Sequence, residues 1–291
     1  MTLQQLHDLG FRELFRHDFA LINPVRVREE WWRDLPVVPL RATAFDAQRY
    51  FVPRLLPFVE LNDEQRVELL ERHDLQGEET GQSMFCALLV SRSEPRALAA
   101  SLGRMMLLDA PTGQTVWLRF HDPRIFSALT WWLDQEQIGC LMNQVQSWTW
   151  YEPRDAMWHQ LESPPISGSR RLRLDNEQWD RLGRQPLVNR TLKELGRKPP
   201  LGCQLRELVE LIDLHLVRAA RSGLADAADL IRFAAMTARY GEAWVNHPIA
   251  TRALTSAVEG RQTLAAGLAG LEHAELQQWT RESAVHKEEH A

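Results

Sequence analysis

Short apolar runs between proline and glycine breaks fill the first half of the chain, and apolar residues three and four apart fill the second. Residues 18–22 and 37–41 read as short strands, bounded by Asn23-Pro24 and Pro36. Pro53 and Pro57 break the next apolar stretch into extended pieces. Asn62, with Gln65 three positions on, has the form of a capping box for a helix through Val67 and Leu70 to about His73. Residues 77–83 are polar with two glycines, which predicts a loop. The continuous apolar run 84–90 predicts a strand covered on both faces.

Ser93 stands as the cap of the next helix, with Pro95 in its first turn and Leu98, Leu102 and Met105 at helical spacing. A turn at 111–113 leads into a strand over 115–120. Asp122-Pro123 follows at once. Asp is a favoured N-cap, and Pro at the first helical position gives up an N–H that would have no partner there. Ile125, Leu129 and Trp132 mark the buried stripe of that helix, and 145–151 alternates as a third strand with Trp148 and Trp150 on one face. Strand, helix, strand, helix, strand between 84 and 151 suggests a βαβ-containing unit.

Residues 164–200 carry nine basic and four acidic side chains, and Asp175 with Gln178 forms another capping box ahead of a short helix. From 203 onward the pattern is helical only. Leu205, Leu208, Val209, Ile212 and Leu216 make one stripe, ended by Gly223; a second helix covers 226–240, ended by Gly241. Pro248 opens a third with Leu254 and Val258 inside, and a fourth carries Leu264, Leu268, Leu271 and Leu276. The expected fold class is α+β: a mixed α/β lobe with a small sheet over 1–163, a basic linker with a short helix over 164–200, and a helical bundle over 201–291. A cleft between the lobes is the expected place for a partner segment.

Length and composition fit this plan: 291 residues, 44% hydrophobic and 25% charged, describe a globular chain able to bury a sizeable core. The net charge of -5 argues against nucleic acid as the main partner. Three cysteines, Cys86, Cys140 and Cys203, lie far apart and fit unpaired thiols in a reducing compartment. No uninterrupted apolar core of a secretory signal and no run of ~18 apolar residues is present, so a cytoplasmic protein without a membrane span is expected. There are 11 Trp, six of them between Trp117 and Trp158, which makes that stretch a dense core or a contact surface.

No phosphate-cradling, dinucleotide-binding or nucleophile-elbow motif occurs, and no cofactor is implied. His286 and His290 are four apart, but a solvated tail accounts for them better than a metal does. His215 reads as a half-buried packing residue. The most informative segment is 117–124, Trp-Leu-Arg-Phe-His-Asp-Pro-Arg. A strand delivers Arg119 near its end, and Arg124 falls in the first turn of a helix, where its charge opposes the helix dipole by about 0.3–1 kcal/mol. That placement calls for a carboxylate, from Asp122, from elsewhere in the fold or from a partner. The structural reading is a strand–turn–helix corner held by an Arg–Asp network; the others are a binding surface, or His121 with Asp122 as an acid–base pair. Only one of Trp131 and Trp132 can face the core of its helix, and Trp31-Trp32 poses the same question. The basic stretch 170–173 is read as a solvated charge run.

The segment 113–124 resembles a hallmark of the bacterial type VI secretion adaptor (effector chaperone) family, Gly-x-x-Val-x-Phe-Arg-Phe-Tyr-Asp-Pro-Arg. In this chain it is Gly113-Gln114-Thr115-Val116-Trp117-Leu118-Arg119-Phe120-His121-Asp122-Pro123-Arg124, with His121 in place of an aromatic. The opening run 19–25, the end of a strand at Ser91-Arg92-Ser93, the helix from Leu102 to Leu107, and Gly139 and Trp148 fit the same layout. The resemblance covers about residues 15–150, and 224–248 is similar to a helical region that often follows. It implies a non-catalytic role: binding an effector toxin in the cytoplasm and assisting its loading onto the VgrG spike. The residues expected to form a partner surface or structural corner are Arg119, Asp122, Pro123, Arg124, Trp131, Trp132, Trp148 and Trp150. The alternatives are a hydrolase-type enzyme with a site around His121 and Asp122, or a structural subunit of a larger assembly.

Overall fold

The computed structural model describes residues 3–6, 11–40, 50–164, 171–196 and 205–288. They fall into two units, Met1–Gln178 and Trp179–Ala291. The first begins with β1 (Leu3–Leu6), α1 (Phe11–Leu14), β2 (Phe19–Ile22), β3 (Val38–Pro39) and β4 (Arg54–Pro57). It continues with α2 (Asp63–Thr80), β5 (Phe85–Val90), α3 (Pro95–Met105), β6 (Leu107–Asp109) and β7 (Thr115–Trp117). Then come α4 (Pro123–Trp132), α5 (Gln135–Met142), β8 (Ser147–Glu152), β9 (Met157–Glu162) and the start of α6 (Asn176–Leu195). The fold class is α+β, as the sequence pattern predicts.

Among the described residues one seven-stranded sheet runs in the order β1-β9-β8-β5-β2-β4-β3, and every pairing in it is antiparallel. This corrects the βαβ expectation. The strand expected over 115–120 is only Thr115–Trp117, and it pairs with Leu107–Asp109 in a ribbon of its own. With that strand outside the main sheet, β8 lies beside β5 with Leu89 opposite Trp148 and runs the other way. The central strand β5 is buried along almost its whole length, which explains its unbroken apolar run.

Several local features depart from the pattern. The Asn62–Gln65 capping box opens α2 as expected, but the helix runs through 77–80, where a loop was expected. It stops at Gly81, whose φ of 64° lies in the left-handed region that glycine adopts without a Cβ clash. Leu69, rather than Val67, is the buried apolar residue of that helix. Helix α3 begins on Glu94, not Ser93, and without a side-chain cap; Pro95 occupies its first position. In α4 the deeply buried residues are Phe126, Ala128 and Leu129, whereas Ile125 and Trp132 are only partly buried. The elements α5 and β9 were not anticipated.

The second unit holds the rest of α6, then α7 (Leu205–Arg221), α8 (Ala227–Tyr240), α9 (Pro248–Val258), α10 (Leu264–Gly267) and α11 (His273–Glu288). A bidentate Arg184–Asp213 pair, at 2.6 and 2.9 Å, ties α6 to α7. Leu224, Phe233, Trp244, Ala250, Leu264 and Leu276 belong to its core. The expected fourth helix is two, because the chain turns between Leu268 and Glu272, and Val258 points to solvent rather than inward. A Cβ on Gly267 would lie 2.6 Å from the Ala253 Cβ, so α9 and α10 touch where only glycine fits. Of the basic stretch, Arg171 and Arg173 are exposed and Leu172 is buried; residues 165–170, the His286 side chain and His290 lie outside the described residues.

Candidate functional site: a double carboxylate–proline–arginine clamp

Asp122 caps α4, its Oδ1 accepting the Arg124 backbone N–H at 3.1 Å. The same carboxylate then takes the Arg124 guanidinium in a fork, Nε to Oδ1 at 3.1 Å and Nη2 to Oδ2 at 2.8 Å. Arg26, from the loop after β2, adds Nη2 to Oδ2 at 3.1 Å. Asp122 therefore supplies the carboxylate that Arg124 requires against the helix dipole. Burial raises the Asp122 pKa, but hydrogen bonds and charge from Arg124, with the charge of Arg26 beyond, outweigh it and hold the carboxyl at about 2.

A second copy of this arrangement stands at the end of β8. Glu152 Oε1 accepts the Arg154 backbone N–H at 3.1 Å, and the Arg154 side chain forks onto both oxygens at 2.7 and 2.6 Å. Pro153 sits between them as Pro123 does between Asp122 and Arg124. The Glu152 side chain is only 1% exposed and that of Arg154 11%. Arg154 also donates to the Arg124 carbonyl at 3.2 Å, which joins the two clamps, and its guanidinium lies 5.4 Å from the centre of the Trp131 ring. Burial raises the Glu152 pKa, yet the Arg154 charge and hydrogen bonds, with one from Ser127, bring it below the ordinary value.

Beneath the second clamp a buried relay runs from indole to carboxylate. Trp150 Nε1–H donates to Ser127 Oγ at 2.8 Å, and Ser127 Oγ–H donates to Glu152 Oε2 at 2.5 Å. Trp148 stacks on Phe126 with centroids 4.6 Å apart, and Trp150 meets the same ring edge-on at 4.9 Å. His159 stacks on Trp150 and pairs with Asp155 at 2.8 Å. Trp148 and Trp150 are thus core residues that register α4 against β8, each about 1% exposed. Trp131 and Trp132 keep part of their surface, and Arg119 is exposed and makes no ion pair among the described residues.

Of the residues singled out from sequence, the fold brings Asp122, Pro123 and Arg124 together in one clamp and links it through Arg154 to Trp131. It does not bring His121 and Asp122 together as an acid–base pair. Both Asp122 oxygens face arginines, and His121 is buried with no hydrogen-bond partner at Nδ1 among the described residues. Burial, with the Arg119 charge behind it, pushes the His121 imidazole down to about 3, which leaves it neutral near pH 7. Arg26, Glu152, Arg154 and Ser127 were missed. For two of them a signal existed: acid-Pro-Arg occurs at both 122–124 and 152–154, and the second copy has the chemistry of the first. Among the described residues no group of three or more His, Cys, Asp or Glu is placed to hold a metal, and no helix is long and apolar enough to cross a membrane.

The first unit is therefore an antiparallel α+β domain whose strand-to-helix corner is locked by two arginine-clamped carboxylates. Residues 36–140 match a family model described as a domain of unknown function (DUF4123). The match covers less than half of the chain; it takes in the Asp122 clamp and ends before Glu152. Neither a curated protein nor a solved structure matches the chain.

Proposed function

We propose that this chain is a non-catalytic adaptor that binds an effector toxin in the cytoplasm and assists its loading onto the VgrG spike of a type VI secretion system. The observation that carries the reading is the match of residues 36–140 to the domain of unknown function. That span contains 113–124, the segment that resembles the type VI adaptors. The arrangement of the corner supports a holding role. The charged groups of its two clamps are satisfied by one another, and partly exposed Trp131 and Trp132 with exposed Arg119 are of the residue types that interfaces favour. In this reading the chain acts stoichiometrically, covering an apolar effector segment until the complex reaches the spike.

The test is an affinity pull-down of the tagged chain from its native host, under conditions in which the effectors are shown to be expressed, with mass spectrometry of the co-purified proteins. An effector with or without the spike protein is the expected result. Recovery of the chain alone from such cells overturns the reading.

A further inference from the structure

The helical unit carries an open groove of about 680 Å³, far in sequence from the clamps and outside residues 36–140. Its floor is apolar: Met236 of α8, Leu268 after α10 and Leu276 of α11, all buried. Arg232 and Arg239 stand on the same side of α8, two turns apart, with Met236 between them at helical spacing. Among the described residues that line the groove, none is acidic. Arg232 shares Glu194 at 2.9 Å, whereas Arg239 is exposed and has no carboxylate partner among the described residues. Ala265 and Ala269, both exposed, are small enough to admit an incoming side chain beside the floor.

An apolar floor beside Arg239, whose charge no carboxylate meets among the described residues, and Arg232, already paired with Glu194, selects its occupant by two criteria at once. Apolar anchors must reach the floor, and carboxylates must reach the two arginines. A nucleic acid strand would meet the arginines but leave the floor without apolar partners, and the net charge of -5 works against it. We propose that this groove docks an acidic amphipathic segment of a partner protein, with carboxylates on Arg239 and Arg232 and apolar side chains on Met236, Leu268 and Leu276. The proposal does not rest on the adaptor reading.

The test uses the purified full chain and fluorescence anisotropy. The probe is a labelled synthetic peptide of about 14 residues with Leu and Glu at amphipathic helical spacing. Its counterpart with Lys for Glu, and a dT12 oligonucleotide, are the comparisons. The Glu peptide is expected to bind at least about tenfold more tightly than the Lys peptide, and to weaken as salt is raised from ~50 to ~300 mM. Arg239→Glu, at an exposed position, should weaken it about fivefold or more without changing the melting temperature; Ala269→Trp should block it by filling the groove. The proposal is overturned by equal affinity for the two peptides, by tighter binding of the oligonucleotide, by no binding of the Glu peptide, or by full binding to a folded Arg239→Glu variant.

Discussion

Removing Arg154 should expose how much of the first unit hangs on one guanidinium. The Glu152 side chain is 1% exposed in the intact protein, and in Arg154→Ala its carboxylate keeps only the Ser127 hydroxyl and the backbone N–H of residue 154. Breaking a buried ion pair from one side costs about 3–5 kcal/mol, because the remaining charge is left uncompensated. For a cooperative unit of this size, each kcal/mol moves the midpoint by about 2–4 °C, so a drop of roughly 10 °C is expected. Tryptophan fluorescence is a suitable assay, since eight of the eleven tryptophans lie in the first unit. The sign of the pH response provides a second check. In the wild type Glu152 has a lowered pKa, so its contribution is present above the ordinary carboxylate range and is lost as pH falls through the lowered value. Without the Arg154 charge and its side-chain hydrogen bonds, burial is opposed only by the Ser127 and backbone hydrogen bonds and Glu152 takes up a proton more readily, so the defect should shrink between pH 7.5 and 4.5. The double variant Glu152→Gln/Arg154→Met removes the charge with its partner and should be more stable than Arg154→Ala at pH 7.5. An Arg154→Ala midpoint within about 2 °C of wild type, or a deficit identical at both pH values, would refute the clamp argument.

Three further outcomes follow from the same geometry. Arg124→Ala should cost about 1–3 kcal/mol, less than Arg154→Ala, because Asp122 keeps Arg26 and Arg124 is one-third exposed; chemical denaturation reads it, and the Asp122 contribution it removes should fade in the wild type between about pH 4 and pH 2. His121 is neutral in the fold down to about 3, so below pH 6.5 the unfolded chain gains a proton that the folded chain does not, and stability falls; His121→Phe should flatten the stability–pH profile from 6.5 to 4 by about one proton, and an unchanged slope would show that another group sets it. Gly267→Val drives a side chain into Ala253 and should destabilise the helical unit by at least about 1–3 kcal/mol while leaving the first unit's melting unchanged; differential scanning calorimetry separates the two transitions.

What could be read from the sequence was chemistry that acts within a few residues. The capping boxes at Asn62–Gln65 and Asp175–Gln178, and the Asp122 cap with Pro123 after it, formed as expected because both partners lie within one turn. Strand direction was not readable. An apolar run such as 85–90 suits either orientation, and the antiparallel partner at 147–152 is chosen by a distant connection. The hairpin strand β9 was hidden because Trp158, His159 and Gln160 mix ring, polar and amide side chains where alternation would normally signal a strand. The candidate corner was half visible. Asp122–Arg124 is local, but Arg26 arrives from 96 residues away and Ser127 meets Glu152 across 25. Core status of Trp148 and Trp150 against the partial exposure of Trp131 and Trp132 was settled only by how α4 lies on the sheet.

The position of β1 has a kinetic consequence. Leu3 pairs with Leu161, so the first strand of the sheet waits for the last one before it has a neighbour. At a synthesis rate of about 5–20 residues per second, that interval is roughly 8–30 s on the ribosome. During it neither β9 nor its hairpin partner β8 is complete, and the segment at Leu3–Leu6 is without its native neighbour. Closing this edge is a late, long-range event in the birth of the protein, and slowing translation between residues 20 and 160 would lengthen the window in which the nascent chain is open to misassembly.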